Sequence, residues 1–124
     1  MKWTVGNIKI FQIIEIEAGK IIQSIIPDAT PKNVKKMKWL IPSYADENGI
    51  FKALVQSFLI KSNGKYILVD TCNGNGKNRP NLLEWANLKI KFIEKLDPFG
   101  ITPSDINYVV CTHLHFDHVG WNTF

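Results

Sequence analysis

Arginine is almost absent from this chain, although basic residues are not. Fourteen of the fifteen basic residues are lysines, and only Arg79 is an arginine. Lysine contributes point charges and solubility, whereas arginine supplies the planar fork that binds a phosphate through two hydrogen bonds. The net charge of +4 is therefore poor evidence for nucleic-acid binding, and we expect no nucleic-acid partner.

Cysteines and long apolar runs are also scarce. The two cysteines, Cys72 and Cys111, have neither CxxC spacing nor the companions that a zinc knuckle requires. No run approaches the roughly 20 apolar residues of a membrane helix. Lys9, Gln12 and Glu15 interrupt the N-terminal segment, where a signal peptide needs a continuous apolar core. We expect a cytoplasmic protein with reduced thiols and no membrane partner.

The length suits one domain. The chain has 124 residues, of which 45% are hydrophobic, an ordinary composition for a globular protein. A chain of this size buries a smaller core than a larger domain does. We predict a single, partial domain over residues 1–124.

Two stretches predict antiparallel strands. In residues 8–17 isoleucines alternate with polar side chains, which is typical of a half-buried strand. Residues 51–60 and 65–70 are apolar runs on either side of Asn63-Gly64. This dipeptide favours a tight turn, so the two runs predict a β-hairpin.

The second half of the chain predicts a helix followed by a buried strand. Apolar side chains recur at helical spacing over residues 81–96, and Pro98 and Gly100 close the segment. Residues 107–111 form a short apolar run that we interpret as a buried strand. Sites in α/β sheets commonly follow the carboxyl end of a strand, so the residues after this run are candidates for function.

Residues 27–50 predict a loop with one short helix that begins after Thr30-Pro31, an N-cap followed by proline at the first helical position. This polar segment also carries several apolar and aromatic side chains, namely Trp39, Leu40, Ile41 and Tyr44. They either fasten the loop to the core or form a flap that covers a substrate.

All three histidines lie within six positions, in Thr112-His113-Leu114-His115-Phe116-Asp117-His118, which we call the histidine motif. Imidazole and carboxylate are ligands that zinc, iron and manganese accept. In an extended segment alternate residues point to the same side, so His113 and His115 can bind one ion together. Asp117 and His118 can face a second ion where the chain turns. The spacing therefore predicts a metal site.

The histidine motif and the apolar strand before it resemble the signature of the metallo-β-lactamase-fold hydrolases. Residues 65–71, Lys-Tyr-Ile-Leu-Val-Asp-Thr, are similar to that family's hairpin strand and its Asp-Thr-Gly turn, with Cys72 in place of glycine. Residues 27–31, Trp39 and residues 118–123 resemble one bacterial branch, which has lactonase-like and organophosphate-hydrolase-like members. The resemblance covers nearly the whole chain but corresponds to the family's N-terminal half.

The resemblance implies an α+β fold of αββα type, in which two β-sheets pack face to face with helices outside. It implies two divalent metal ions, zinc with iron or manganese as alternatives. His113 and His115 would hold the first ion, and Asp117 and His118 the second. Asp117 would also steer a proton during catalysis. Asp70 would brace the ligand loop from behind the metals, or it is instead a simple turn aspartate.

The function that the resemblance implies is metal-dependent hydrolysis. A metal-bound hydroxide would attack a small-molecule lactone, ester or related substrate. Three alternatives remain open: an iron-dependent oxidoreductase of the same fold, a nucleic-acid-processing hydrolase, and an inactive fragment or metal-binding half-domain that assembles with a complementary chain.

The family's later histidine, bridging aspartate and final histidine have no counterpart in this sequence. We therefore expect the sequence to be part of a longer protein. With two protein ligands each, the ions would need water to complete their shells and would bind weakly. One apolar face of the sheet would lack a partner, and we expect that face to contain Ile8, Ile10, Leu59 and Leu68.

Three side chains near the motif have two interpretations each. Cys72 is a buried thiol or approaches the metals. Trp121 packs in the core or lines a substrate pocket. Phe116 either forms a wall of the metal cavity or packs beneath it.

Overall fold

A computed structural model describes residues 1–123, and Phe124 lies outside the described residues. Close packing divides the chain into two compact units. The first contains Met1–Glu15 and the chain from Gln56 onward, and the second contains Ile16–Val55. None of the helices in residues 1–123 has the length and apolar character needed to cross a bilayer. The single domain over residues 1–124 stays a prediction.

One mixed sheet of five strands dominates the structure, which confirms the α+β class. The spatial order is the order along the chain: β1 (Lys2–Val5), β2 (Ile8–Glu17), β3 (Leu54–Ser62), β4 (Lys65–Val69) and β5 (Tyr108–Val110). Strands β1 and β2 are antiparallel, as are β3 and β4, whereas β5 runs parallel to β4. The predicted strand over residues 8–17 is confirmed.

The predicted hairpin is also confirmed. Ser62 pairs with Lys65 across the turn, and both central residues, Asn63 at φ 48° and Gly64 at φ 74°, adopt the left-handed conformation that a tight hairpin turn requires. The first strand begins at Leu54 rather than at Phe51, which instead forms an isolated bridge with Ala45.

Among the residues that the structure describes, one face of the sheet is covered and the other is not. Ile13, Leu59 and Leu68 are buried on that face, where Phe11 packs against Phe99 with ring centroids 4.7 Å apart. The expected apolar face was therefore partly wrong, because Ile8 and Ile10 lie on the opposite side from Leu59 and Leu68.

The register establishes the composition of the uncovered face. Trp3 pairs with Ile10, and its ring lies 6.0 Å from that of Phe58, the neighbour of Leu59 in β3. Since successive strand residues point to opposite faces, Phe58 shares its face with Ile60. These side chains are half-buried or exposed in the part of the chain that the structure describes.

Strand β5 is not buried, contrary to our prediction. Tyr108, Val109 and Val110 are 58%, 50% and 51% exposed. The reason is topological: β5 is the last strand of the described sheet and pairs there with β4 alone. An apolar strand at a sheet edge is exposed on its outer side whatever its composition.

The predicted helix over residues 81–96 is wrong. The segment contains two 3₁₀ turns instead, Leu83–Trp85 and Ile93–Phe99. Asn87 lies between them at φ 50°, a left-handed conformation that interrupts a helix. The apolar spacing nevertheless identifies core residues, because Trp85, Phe92 and Leu96 are all buried. Phe92 directly precedes the second turn, and Leu96 lies within it.

The second unit contains α1 (Gly19–Ser24) and the predicted short helix, α2 (Pro31–Val34). Thr30 caps α2 by accepting a hydrogen bond from the Asn33 backbone N–H at 3.2 Å. The apolar side chains of the following loop divide in two. Leu40 is buried in a small core with Val34 and Ala45, whereas Trp39 and Tyr44 are exposed and pack against each other at 6.3 Å. The substrate-covering flap stays a prediction.

We expect neighbouring positions of β3 to differ sharply in their contribution to stability. Leu59→Ala removes a side chain with 0% exposure and should lower the free energy of unfolding by about 2–5 kcal/mol, because a cavity remains. Ile60→Ala, on the uncovered face, is the matched control and should cost much less. Urea unfolding followed by circular dichroism measures both, and equal losses would contradict the assignment of the covered face.

Candidate metal centre

The histidine motif begins two residues after β5 and ends inside a short helix, α3 (Phe116–Val119). His115 precedes α3 in an extended conformation, at φ −65° and ψ 151°. The chain therefore changes from extended to helical within the motif, which separates its four donor side chains into two pairs.

The first pair consists of His113 and His115. The Nε2 atom of His113 lies 3.0 Å from Nδ1 of His115, and the ring planes are nearly perpendicular at 80°. Two nitrogens bound to one tetrahedral zinc ion lie roughly 3.3 Å apart, given bond lengths of about 2.0–2.1 Å. The two imidazoles thus have almost the spacing that a shared ion requires.

The second pair consists of Asp117 and His118. The Nε2 atom of His118 lies 3.6 Å from Oδ2 of Asp117. The other ring nitrogen, Nδ1, lies 2.8 Å from Oδ2 of Asp70. When Nδ1 carries the proton and donates a hydrogen bond to Asp70, the lone pair of Nε2 is available on the side of Asp117.

The two pairs are adjacent. The ring centroids of His113 and His118 are 3.9 Å apart. The hydroxyl of Thr112 contacts both rings, at 3.1 Å from Nδ1 of His113 and 3.3 Å from Nδ1 of His118. All three histidine rings therefore occupy one small region at the end of β5.

Asp70 connects this region to the end of β4. Its carboxylate accepts hydrogen bonds from the Thr112 backbone N–H at 2.7 Å and from the Thr112 hydroxyl at 2.8 Å, besides its contact with His118. Burial acts to raise the pKa of Asp70, but the hydrogen bonds from Thr112 and His118 outweigh it and lower the pKa from its usual value. Asp70 thus holds both ends of the histidine motif.

The residues that follow Asp70 pair with the backbone after His118. We call residues 70–74 the β4 loop. Thr71 N–H donates to the His118 carbonyl at 2.8 Å, Gly120 N–H to the Cys72 carbonyl at 2.7 Å, and Trp121 N–H to the Thr71 carbonyl at 2.9 Å. These bonds fix the position of the backbone that carries His118.

Two glycines permit this close approach. A Cβ atom on Gly120 would lie 1.9 Å from the Asn73 carbonyl, and one on Gly74 would lie 2.4 Å from the Gly120 carbonyl oxygen. Gly74 also has a φ of 74°. The spacing between the β4 loop and the turn after α3 therefore depends on the absence of side chains at both positions.

Residues 52–124 match the family model described as the metallo-beta-lactamase superfamily. This chain belongs to that superfamily. This match confirms the resemblance to the metallo-β-lactamase-fold hydrolases that the histidine motif and the Asp-Thr turn indicated. No curated protein matches the chain significantly.

Solved structures of the metallo-β-lactamase fold are similar over almost the whole chain. A probable metal-dependent hydrolase from Staphylococcus aureus is 24% identical with a TM-score of 0.61, and the match covers 95% of this chain and 42% of that one. AidC, a dizinc quorum-quenching lactonase, is 21% identical with a TM-score of 0.62, and the match covers 97% of this chain and 37% of AidC. AbOPH, a hydrolase in the beta lactamase superfamily, is 19% identical with a TM-score of 0.64, and the match covers 95% of this chain and 37% of AbOPH.

The chain thus spans about two fifths of the length of these structures. Together with the five-stranded sheet, this agrees with the predicted partial metallo-β-lactamase fold. At these identities the likeness concerns the fold alone.

The donor side chains of this superfamily member offer two ligands to each metal ion, which is fewer than a complete coordination shell needs. Histidine nitrogens and a carboxylate oxygen suit zinc, iron and manganese, and the two donor–donor distances of 3.0 and 3.6 Å are close to those of ligands that share an ion. Among residues 1–123, no group of three or more His, Cys, Asp or Glu side chains converges as an ion site. The roles of these residues as ligands remain a proposal.

Two charged residues beside the site were not identified from the sequence. Glu15 is one of the polar side chains that alternate with isoleucines over residues 8–17, but the face of β2 that carries it is the covered one, and Glu15 is only 4% exposed. Arg79 donates to the Asn73 carbonyl at 2.7 Å and lies over the ring of Phe116 at 5.0 Å. The sequence offered one signal for Arg79, which is that it is the one arginine among fifteen basic residues.

The structure gives the surroundings of the flanking side chains and decides between the two interpretations of Cys72. Cys72 is fully buried and lies 3.2 Å from the Ser57 hydroxyl. Burial raises the pKa of its thiol to about 12, and the nearby carboxylates add to that effect. It is therefore a core thiol. Phe116 packs against Trp85 at 5.6 Å, and Trp121 stacks on buried Phe92 at 5.5 Å.

We expect Asp70→Asn to lower the free energy of unfolding by about 1–3 kcal/mol at neutral pH, because an amide cannot accept all the hydrogen bonds from Thr112 and His118. The lowered pKa of Asp70 also predicts a pH dependence. The contribution of Asp70 to the free energy of unfolding should be fully present above its usual pKa of 3.8. It should be lost as the pH falls through the lower pKa that Asp70 has in the folded protein.

Urea unfolding between pH 2.5 and 7 measures this contribution. The difference between the wild-type and Asp70→Asn proteins should shrink at the acidic end. Asp97→Asn, an exposed carboxylate in the same unit, is the matched control. A difference that stays constant with pH would contradict the assigned role of Asp70.

Proposed function

We propose that this chain supplies part of the catalytic centre of a metal-dependent hydrolase. His113 and His115 would hold one divalent ion, and Asp117 and His118 a second. The observation that carries the proposal is the placement of two donor pairs side by side at the end of β5 in a member of the metallo-β-lactamase superfamily.

Zinc is the first choice of metal, with iron and manganese as alternatives. When bound, such ions make a coordinated water acidic and polarise a carbonyl or phosphoryl oxygen. The chain's own residues prepare the site for them. The Nδ1–H of His118 donates a hydrogen bond to Asp70, which would leave Nε2 free to bind the ion. Asp117 is the proposed catalytic carboxylate, since a carboxylate at this place could both bind an ion and accept and release a proton.

The substrate that we propose is a small molecule with a lactone, ester or related bond. Among the similar structures, AidC is a quorum-quenching lactonase and AbOPH is a hydrolase. The printed activity of AidC supports a small-molecule lactone or ester as the substrate, and that of AbOPH supports hydrolysis. We also propose a cytoplasmic location without a membrane or nucleic-acid partner.

The proposed function can be tested with a ligand variant and its neighbour. His115→Ala should remove one donor of the first pair, and should weaken metal binding there and lower hydrolysis at least about 100-fold, the upper end of what a supporting residue is worth. The metal content should fall by up to one of the two ions. Leu114→Ala is the matched control, because Leu114 lies between the two histidines and is 83% exposed. It should leave metal content unchanged.

The measurements are elemental analysis of the purified protein and turnover of a panel of lactones, esters and phosphoesters with added zinc, manganese or iron. Wild-type protein that binds none of these metals and hydrolyses none of these substrates would overturn the proposal. Equal metal content in the His115→Ala and wild-type proteins would overturn the ligand assignment.

A further inference from the structure

We propose that Glu15 is a positioning residue for the metal centre. Its buried carboxylate joins the β4 loop to Trp121 and so fixes the backbone that carries His118. The inference rests on the proposed function, and it concerns a residue more than 90 positions away from the histidine motif in the sequence.

The carboxylate of Glu15 is the centre of a compact hydrogen-bond network. Oε2 accepts bonds from the Asn73 backbone N–H at 2.9 Å and from its side-chain amide at 2.8 Å. Oε1 accepts bonds from the Gly74 N–H at 3.2 Å and from the indole N–H of Trp121 at 2.7 Å. All four partners are donors, and Glu15 is only 4% exposed.

This set of donors requires a carboxylate. Two successive backbone N–H groups directed at one anion form a small concave site for negative charge, and hydrogen bonds to a charged acceptor are stronger than neutral ones. A glutamine at position 15 would have the same shape but one acceptor oxygen. Its NH₂ group would face N–H donors, which leaves buried donors unpaired.

The network lies directly behind the backbone that carries the ligands. Asn73 and Gly74 end the β4 loop, whose other residues hold the histidine motif through Asp70 and Thr71. Trp121 follows the Gly120 residue that packs against Asn73 without a side chain between them. Glu15 therefore bonds to both segments whose separation determines where His118 lies relative to Asp70.

Arg79 supports the same arrangement from the other side of Asn73. Its guanidinium donates to the Asn73 carbonyl at 2.7 Å and to the Trp85 carbonyl at 2.7 Å. Asn73 is thus bonded to Glu15 through its N–H and amide and to Arg79 through its carbonyl. A loop held on both sides has little freedom to shift when the ligands bind an ion.

The expected consequence is a loss of metal affinity without loss of the fold. Supporting residues behind metal ligands are typically worth about 10- to 100-fold in affinity. We expect Glu15→Gln to weaken Co²⁺ binding by a factor in this range. It should also change the ligand-field absorption spectrum of the Co²⁺-loaded protein, because the geometry of His118 and Asp117 would be altered.

The experiment is a titration of the full chain with Co²⁺, followed by calorimetry and by absorption spectroscopy, together with thermal unfolding of the metal-free protein. Ring ¹⁵N NMR of the metal-free protein adds a readout that does not depend on metal. The His118 signals should show a loss of the Nδ1–H tautomer in Glu15→Gln, since its bond to Asp70 depends on the spacing of the two segments.

Two controls separate positioning from general stability. Glu17→Gln makes the same chemical change at an exposed position of the same strand and should leave affinity and spectrum unchanged. Ile13→Val removes one buried methyl group two residues from Glu15 and should lower the melting temperature with no change in affinity or spectrum.

Trp121→Phe covers the case in which Glu15→Gln does not fold. It removes the 2.7 Å indole bond to Glu15 but retains an aromatic ring for stacking on Phe92. We expect a several-fold loss of Co²⁺ affinity from this variant as well. If it folds and keeps wild-type affinity and spectrum while Glu15→Gln is unfolded, Glu15 acts on stability alone and the inference is overturned.

The remaining outcomes are distinct. Wild-type affinity, spectrum and His118 signals in Glu15→Gln would overturn the inference and leave the proposed function intact. A wild-type chain that binds no Co²⁺ would overturn the proposed function and the inference with it. A spectrum that changes in Glu15→Gln but not in Ile13→Val would support the inference.

Discussion

The candidate site depends on backbone hydrogen bonds between the β4 loop and the turn after α3. Donors and acceptors of Thr71, Cys72, His118, Gly120 and Trp121 alternate between the two segments, much as they do in a sheet. Short polar segments at a surface rarely keep one geometry by themselves, because each ordered residue costs backbone entropy. Here the cost is offset by bonds between two segments that β4 and β5 already bring together.

This arrangement explains why the residues of the candidate site are dispersed in sequence. The histidines are supplied by one loop, but their orientation depends on Asp70 at the end of the neighbouring parallel strand and on a carboxylate in β2. Parallel strands place their carboxyl ends at the same edge of a sheet. The superfamily fold therefore gives the histidine motif a neighbouring loop that is already held in place by hydrogen bonds.

Local patterns in the sequence predicted the parts of the structure that local forces determine. Alternation over residues 8–17, the Asn63-Gly64 turn and the Thr30 cap all follow from chemistry within a few residues. The helix over 81–96 failed because apolar spacing reports which side chains are buried, and buried side chains can also be presented by 3₁₀ turns on either side of a left-handed Asn87. Glu15 and Arg79 could not be found in this way, because their partners are distant in sequence and a charge on a strand normally indicates solvent.

The burial of Cys72 has a consequence for handling the protein. With the pKa of its thiol raised to about 12, almost none of the sulfur is thiolate at neutral pH, and the thiolate is the form that reacts with alkylating reagents and peroxide. Its side chain is also fully enclosed. Maleimide labelling of the folded protein should therefore modify Cys111 selectively, which would place a single fluorophore or spin label next to the histidines without any engineered cysteine.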